Sequence, residues 1–289
     1  MFTAKNDTQI RQINTYLECV CLLLTGDEIE NGLFDRFVEQ LNSVPISSDP
    51  TILKEINFII LHKDDKILEK DLSVFENKFS KFSLLKINIP NEYDFYLRQN
   101  SLKEVPNLEL YDWKDYGLKS GANFAFFNSF EHLKNFDTTL FLECDCFLGE
   151  DWLERIYDFT SSSGGFWSAG SVYDNEKANL LTQVANTHLN GGIALYATSN
   201  VFFRKFLIRS ANHFSKYLKV KPNLPYDYYL RMYVEDSFNT DRHNRYYWNF
   251  VKRQFLICNL IFNYSPARDS ELNVLDLKKR HNFAILHKK

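Results

Sequence analysis

Three short stretches combine residue types that do chemistry. The first is LFLECDCF, where Glu143 and Asp145 stand at i and i+2 as an apolar run gives out. Carboxylates at a strand end offer hard oxygen ligands to a divalent cation, which is usually shared with substrate phosphates. A turn with solvated acids is the plain alternative. The second is HLNGGIALY, in which His188 and Asn190 carry groups that hydrogen-bond hydroxyls, while Gly191 and Gly192 permit close backbone approach. Its plain alternative is a turn before a buried strand. The third is NFAILHKK, where His287 stands beside Lys288 and Lys289. A histidine there can ligate a metal and the lysines can neutralise a diphosphate. The apolar run Phe283 to Leu286 implies that this end docks instead of fraying.

The elements that must position these residues follow from hydrophobic patterning. Tyr16 to Leu24 reads as a buried strand ending in the turn Thr25-Gly26-Asp27, followed by a helical pattern in Leu33, Phe34, Phe37, Val38 and Leu41. Ile56 to Leu61 is a second apolar run, closed by His62-Lys63-Asp64-Asp65. Ser83 to Ile89 is a third, closed by Pro90. Largely apolar strands alternating with helices imply parallel strands covered on both faces. Leu118 to Leu133 reads as a long helix with Phe124, Phe127 and Phe130 on one side, leading into a fourth buried strand, Thr138 to Leu142. In an open α/β sheet ligands bind beyond the carboxyl ends of the strands. The turn at 25 to 27, the turn at 62 to 65 and the acids Glu143 and Asp145 therefore share one rim.

Composition bounds the alternatives. The chain has 289 residues, 45% apolar and 16% aromatic, with Gly 10 and Pro 7, which excludes a disordered or fibrous protein. A net charge of −3 gives no footprint for unspecific nucleic-acid binding. Lys278, Lys279, Arg280, Lys288 and Lys289 nevertheless put +5 on the last twelve residues, against an acidic remainder. No apolar run reaches membrane-span length and the N-terminal residues are polar, so a cytoplasmic setting is expected, with no membrane span and no nucleic acid among the partners. The five cysteines include two C-x-C pairs. Along a strand, i and i+2 lie about 6.6 Å apart, too far for the usual zinc spacing, so buried thiols are expected.

Taken in order, these stretches resemble the GT-A family of nucleotide-sugar-dependent glycosyltransferases. TGDE after the first strand looks like the nucleotide-binding turn, and YGLKSGANFAFFNSF looks like the donor-binding helix. ECD is similar to the DxD metal motif with Glu in the first place. FWSAGSVY with HLNGGIALY, and the final LHKK, are similar to the GS-x-Y, H-x-NG-x-A-x-Y and C-terminal His-Lys elements of some viral, microbial and plant members. The resemblance covers most of the chain. It implies a mixed, mainly parallel α/β sheet flanked by helices in one GT-A domain. Residues 12–148 would be its nucleotide-binding half, and 149–289 its acceptor-binding half, with the tail returning to the donor site. The activity implied is hexosyl or pentosyl transfer from a nucleoside diphosphate sugar, by default a UDP-sugar, to a hydroxyl of a glycan or other acceptor.

Residue by residue, the resemblance implies that Asp145 and His287 ligate Mn²⁺ or Mg²⁺, with Glu143 nearer the ribose or a metal-bound water and Lys288 adding charge. Thr25, Gly26, Asp27 and Asp64 or Asp65 would face the nucleoside, Lys119 and Asn123 the donor sugar or phosphate. His188, Asn190, Gly191 and Gly192 would meet sugar or acceptor. Inversion by direct displacement also needs a base for the acceptor hydroxyl. Asp227 in PYDYYL is favoured, with Asp236 the alternative and Glu235 nearby. A further expectation is that the tail orders only when nucleotide arrives. Two other readings remain open. A sugar-nucleotide-forming nucleotidyltransferase would release pyrophosphate from sugar phosphate and NTP, although TGDEIENG lacks its basic, Gly-rich loop. A non-catalytic carbohydrate-binding protein on the same fold would bind glycan without metal or nucleotide.

Overall fold

The computed structural model describes residues 15–172, 189–264 and 282–288. Its first half alternates strands and helices: β1 (Leu17–Leu24), α1 (Gly26–Glu30), α2 (Leu33–Ser43), α3 (Pro50–Glu55), β2 (Asn57–His62), α4 (Ser73–Lys78) and β3 (Lys81–Lys86). A loop with short 3-10 turns then leads to α5 (Ser120–Leu133), β4 (Thr138–Leu142) and β5 (Cys146–Leu148). The remainder comprises α6 (Trp152–Ser162), β6 (Ser168–Val172), β7 (Leu189–Tyr196), α7 (Val201–Leu218), α8 (Tyr226–Thr240), α9 (Arg245–Lys252), β8 (Phe255–Ile257), β9 (Ile261–Tyr264) and β10 (Ile285–Lys288).

Seven strands form one sheet in the order β3-β2-β1-β4-β7-β6-β8. The first four are parallel, β7 runs antiparallel to both β4 and β6, and β8 is parallel to β6. This is the mixed, mainly parallel sheet expected. The pairing of β4 with β7 carries the sheet across the boundary between residues 12–148 and 149–289. Both sheet faces are covered, which is why the strands are apolar at consecutive positions. Val20, Leu22, Phe58 and Ile60 face a core with Phe34, Phe37 and Leu41 of α2 and Trp152 and Ile156 of α6. Cys19, Cys21, Ile59 and Phe141 face a second core with Phe126 and Phe130 of α5 and the buried sides of α7, α8 and α9. All five cysteines are free and buried, as expected. Burial pushes the Cys19, Cys21, Cys144 and Cys146 thiols well up.

One local expectation needs correction. The core face of α5 is Asn123, Phe126, Phe130 and Leu133, while Phe124 and Phe127 are only half-buried. Phe124 instead stacks at 5.6 Å on Tyr93 of the preceding loop. The apolar stretch FLICNLIFNYS is two strands, divided at residues 258–260, so that β9 leaves the main sheet. It joins a three-stranded sheet of order β5-β10-β9, with β10 in the middle.

Candidate active site

The rim forms where β1, β2 and β4 end together. The β1 and β2 turns abut so closely that a Cβ on Gly26 would lie 2.5 Å from Asp64 Oδ2. Asp64 caps the next turn by accepting from the Lys66 backbone N–H at 3.0 Å. Thr25, Gly26 and Asp64 are therefore brought together as expected, with Asp27 exposed beside them on α1. Asp65 points to Lys86, at 2.6 Å, on the outer edge.

Glu143 and Asp145 follow the last residue of β4, and His287 is delivered to them by β10. That strand is held on both sides: His287 is registered opposite Cys146 of β5 and opposite Asn263 of β9. Its approach is fixed by Arg155, which donates to the Phe283 and Asn282 carbonyls at 2.9 and 2.6 Å. The Gly149 N–H donates to the Ala284 carbonyl at 2.7 Å, where a Cβ on Gly149 would lie 2.7 Å from the Phe283 carbonyl oxygen. Residues 282–284 thus lead into β10, which is held between β5 and β9. Lys278, Lys279, Arg280 and Lys289 lie outside the described residues.

His287 is fully buried and its Nε2 lies 3.1 Å from Glu143 Oε2 and 3.2 Å from either oxygen of Asp145. Burial alone would lower its pKa, but the hydrogen bonds and charges of Asp145 and Glu143 prevail and raise it to about 9. One potential ligand atom from each of the three residues lies within 4.8 Å of the others. Two carboxylates and an imidazole form a donor set that fits a hard to borderline divalent cation such as Mn²⁺ or Mg²⁺. The imidazole nitrogen already faces the oxygens with which it would share the ion.

A third acid belongs to this site. Glu28 on α1 accepts from the Thr25 backbone N–H at 2.7 Å and from the Thr25 hydroxyl at 2.9 Å. Burial pushes its carboxyl up to about 7 against those two hydrogen bonds, and the charges of Glu143 and Asp145 add to the rise. Reasoning from acid spacing misses Glu28. The Thr-x-x-Glu pattern of a capping box, present in TGDE, is the signal that marks it.

Gly192 has a structural reason of its own. In the antiparallel register of β4 and β7, Phe141 pairs with Ala194, and continuing two residues sets Gly192 opposite Glu143. A Cβ there would lie 2.1 Å from Glu143 Oε1. The missing side chain makes room for the acid, where the sequence suggested room for a sugar. Asn190 and Gly191 lie in β7, and Lys288 in β10. His188 lies outside the described residues.

The remaining candidates separate clearly. Asp227, in the first turn of α8, is half-buried and accepts from the Tyr228 N–H at 2.8 Å. Burial raises the Tyr196 and Tyr226 hydroxyls and the charges of Asp227 and Glu143 add to the rise, so both acids lie near these two side chains. Asp236 is exposed nine residues on, about 13 Å along the helix, and takes a hydrogen bond from Tyr217. Glu235 is paired with Arg231 at 2.5 Å and with Lys252 at 3.1 Å. Lys119 is half-buried with Nζ 5.6 Å from the Tyr96 ring centre. Asn123 is fully buried. Its amide donates to the Tyr116 and Leu224 carbonyls at 2.7 and 3.1 Å and accepts from the Tyr226 N–H at 2.9 Å. Asn123 therefore ties α5 to the start of α8.

No family model and no curated sequence matches the chain. Solved structures match its shape. The galactosyltransferase LgtC, in complex with donor and acceptor sugar analogues, is similar with a TM-score of 0.52 and 14% identity, over 93% of this chain and 86% of that one. Mouse xyloside xylosyltransferase 1 is similar with a TM-score of 0.51 and 11% identity, over 93% and 96%. The fold is that of the GT-A glycosyltransferases. Within this GT-A fold, the cluster of Glu143, Asp145 and His287 stands at the end of a central strand, where the sheet topology places ligands.

Proposed function

We propose that this protein is a metal-dependent glycosyltransferase, moving a sugar from a UDP-sugar to a hydroxyl of a glycan or other acceptor with inversion. The observation that carries the reading is the buried His287, brought by a returning strand to within hydrogen-bond distance of both Glu143 and Asp145. Asp145 and His287 would hold Mn²⁺ or Mg²⁺, with Glu143 directed to the ribose or a metal-bound water. When bound, the ion supplies positive charge to a diphosphate leaving group. Glu28 keeps the β1 turn in shape through Thr25, and Thr25, Gly26, Asp27 and Asp64 would border the nucleoside. Lys119 and Lys288 would add charge near the phosphates. Asp227 would take the proton of the acceptor hydroxyl on its carboxylate, a role supported by its place near Tyr196 and Tyr226, which the charge of Glu143 also reaches.

Incubation with UDP-sugars and Mn²⁺, following UDP release and the anomeric proton of the product, tests the reading. Release by the wild type that vanishes in Asp145→Ala, with an inverted anomer, is expected. Equal release by both proteins would contradict it. Pyrophosphate from a sugar phosphate and UTP would point to a nucleotidyltransferase.

A further inference from the structure

The outer faces of α7 and α9 depart from the usual polar surface of a globular domain. On α7 the exposed stripe contains Val201, Phe202 and Ile208 interleaved with Lys205 and Arg209. These positions recur at helical spacing on the side away from the core. Phe202 is 71% and Ile208 60% exposed. On α9 only Trp248 and Val251 are buried, while Tyr246 is 93% exposed and Phe250 stands half out beside Arg245 and Arg253.

The two helices form one neighbourhood. Arg209 of α7 lies 5.6 Å from the Trp248 ring of α9. Trp167 packs against Phe206 of α7 at 5.3 Å and Phe250 of α9 at 5.9 Å.

The charge of this region is predominantly positive. Between residues 200 and 253 there are eleven Lys and Arg against four Asp and Glu. Three of those acids are engaged within the fold: Asp241 accepts from Trp248 Nε1 and from Asn244, Asp236 from Tyr217, and Glu235 is paired with Arg231 and Lys252. Among the described residues Lys205, Arg209, Arg242, Arg245 and Arg253 enter no ion pair with an acid. Exposed aromatic and aliphatic side chains set among cations are the pattern that lies on a bilayer surface, with rings in the headgroup region and cations against anionic lipid. A nucleic-acid partner would account for the cations, but it gives Val201 and Ile208 nothing to bury against.

We infer that the face made by α7 and α9 docks this protein on membranes containing anionic lipid. Each Lys or Arg near such a surface contributes about 1 kcal/mol. Removing two therefore weakens binding about thirtyfold.

The test is co-sedimentation of the full chain with vesicles of 30% phosphatidylglycerol in phosphatidylcholine, and with pure phosphatidylcholine, comparing the wild type with K205Q/R245Q and F202S/Y246S. All four positions are exposed, and unchanged melting temperatures verify folding. The wild type is expected to pellet with the anionic vesicles only, and both variants to lose at least tenfold in affinity. A wild type that stays in the supernatant overturns the proposal, as does a wild type that pellets equally with pure phosphatidylcholine. Loss in K205Q/R245Q with full binding by F202S/Y246S would also overturn it, because a surface reading charge alone is a general polyanion site. The outcome does not depend on sugar transfer.

Discussion

The acidic rim and the outer face of α7 and α9 use charge in opposite ways. At the rim Glu28, Glu143, Asp145 and His287 are wholly or partly buried, and three of the four are linked by bonds of 3.1 to 3.2 Å. On the outer face Lys205, Arg209, Arg245 and Arg253 stand exposed and form no ion pair with an acid among the described residues. Fixed, desolvated charge raises pKa values and prepares a site for an ion. Exposed charge on long side chains does neither, but it is free to meet a broad surface. A substitution at the rim should therefore remove activity, whereas one on the outer face should remove only location.

The largest effect that would sharpen this contrast is expected from Asp145→Ala. Loss of a preorganised electrostatic group should lower transfer by about 10³-fold with little change in melting temperature. Retained turnover would break the contrast. Asp227→Asn should lower kcat by about 10²-fold, the ordinary loss for a general base. Turnover within a few-fold of wild type, with a retained anomer, would remove Asp227 from the chemistry.

Gly192→Ala puts a methyl into the place of the Glu143 carboxylate and should weaken Mn²⁺ binding about tenfold, as disturbance beside a metal ligand does. Calorimetric titration with Mn²⁺ would measure it.

The pH dependence of the metal-free protein is a smaller and gradual effect. His287 rises from 6.5 to about 9 on folding, so its stabilisation is fully present below 6.5 and lost as pH climbs through 9. Glu28 rises from 4.5 to about 7, so the folded form holds an extra proton between those values and stability falls across them too. Denaturation with EDTA should show stability declining from pH 5 to 9, with the His287 share about 3 kcal/mol, and Mn²⁺ should flatten the decline. The smallest effect is expected of K205Q/R245Q, with turnover of a freely dissolved substrate unchanged and stability within about 0.5 kcal/mol.

The sequence makes the central strands legible because burial on both faces forces apolar runs, and a run such as TTLFLECD marks both the strand and its acidic end. The face of α5 is less legible. Nearly every position is aromatic or small, so periodicity alone does not separate Phe126, in the core, from Phe124, which meets Tyr93 of a neighbouring loop. The glycines Gly26 and Gly192 announce close approach, but only the strand register reveals that they yield to Asp64 and Glu143. Glu28 sits behind Asp27, and its capping pattern became meaningful once the β1 turn was seen beside β4. The outer face is legible in composition and illegible in arrangement: cations at 205, 209, 245 and 253 are brought near one another only by tertiary contacts such as Arg209 on the Trp248 ring and Trp167 between Phe206 and Phe250.

The central claim is that Glu143, Asp145 and His287 hold a divalent cation that recruits a nucleoside diphosphate. Its most direct test is the melting temperature with UDP, with Mn²⁺ and with both, for the wild type and Asp145→Asn. A ligand at one hundred times its Kd stabilises by about 2.7 kcal/mol, so a clear rise is expected only when UDP and Mn²⁺ are present together, and only in the wild type. An equal rise with UDP alone, or in Asp145→Asn, would contradict the account.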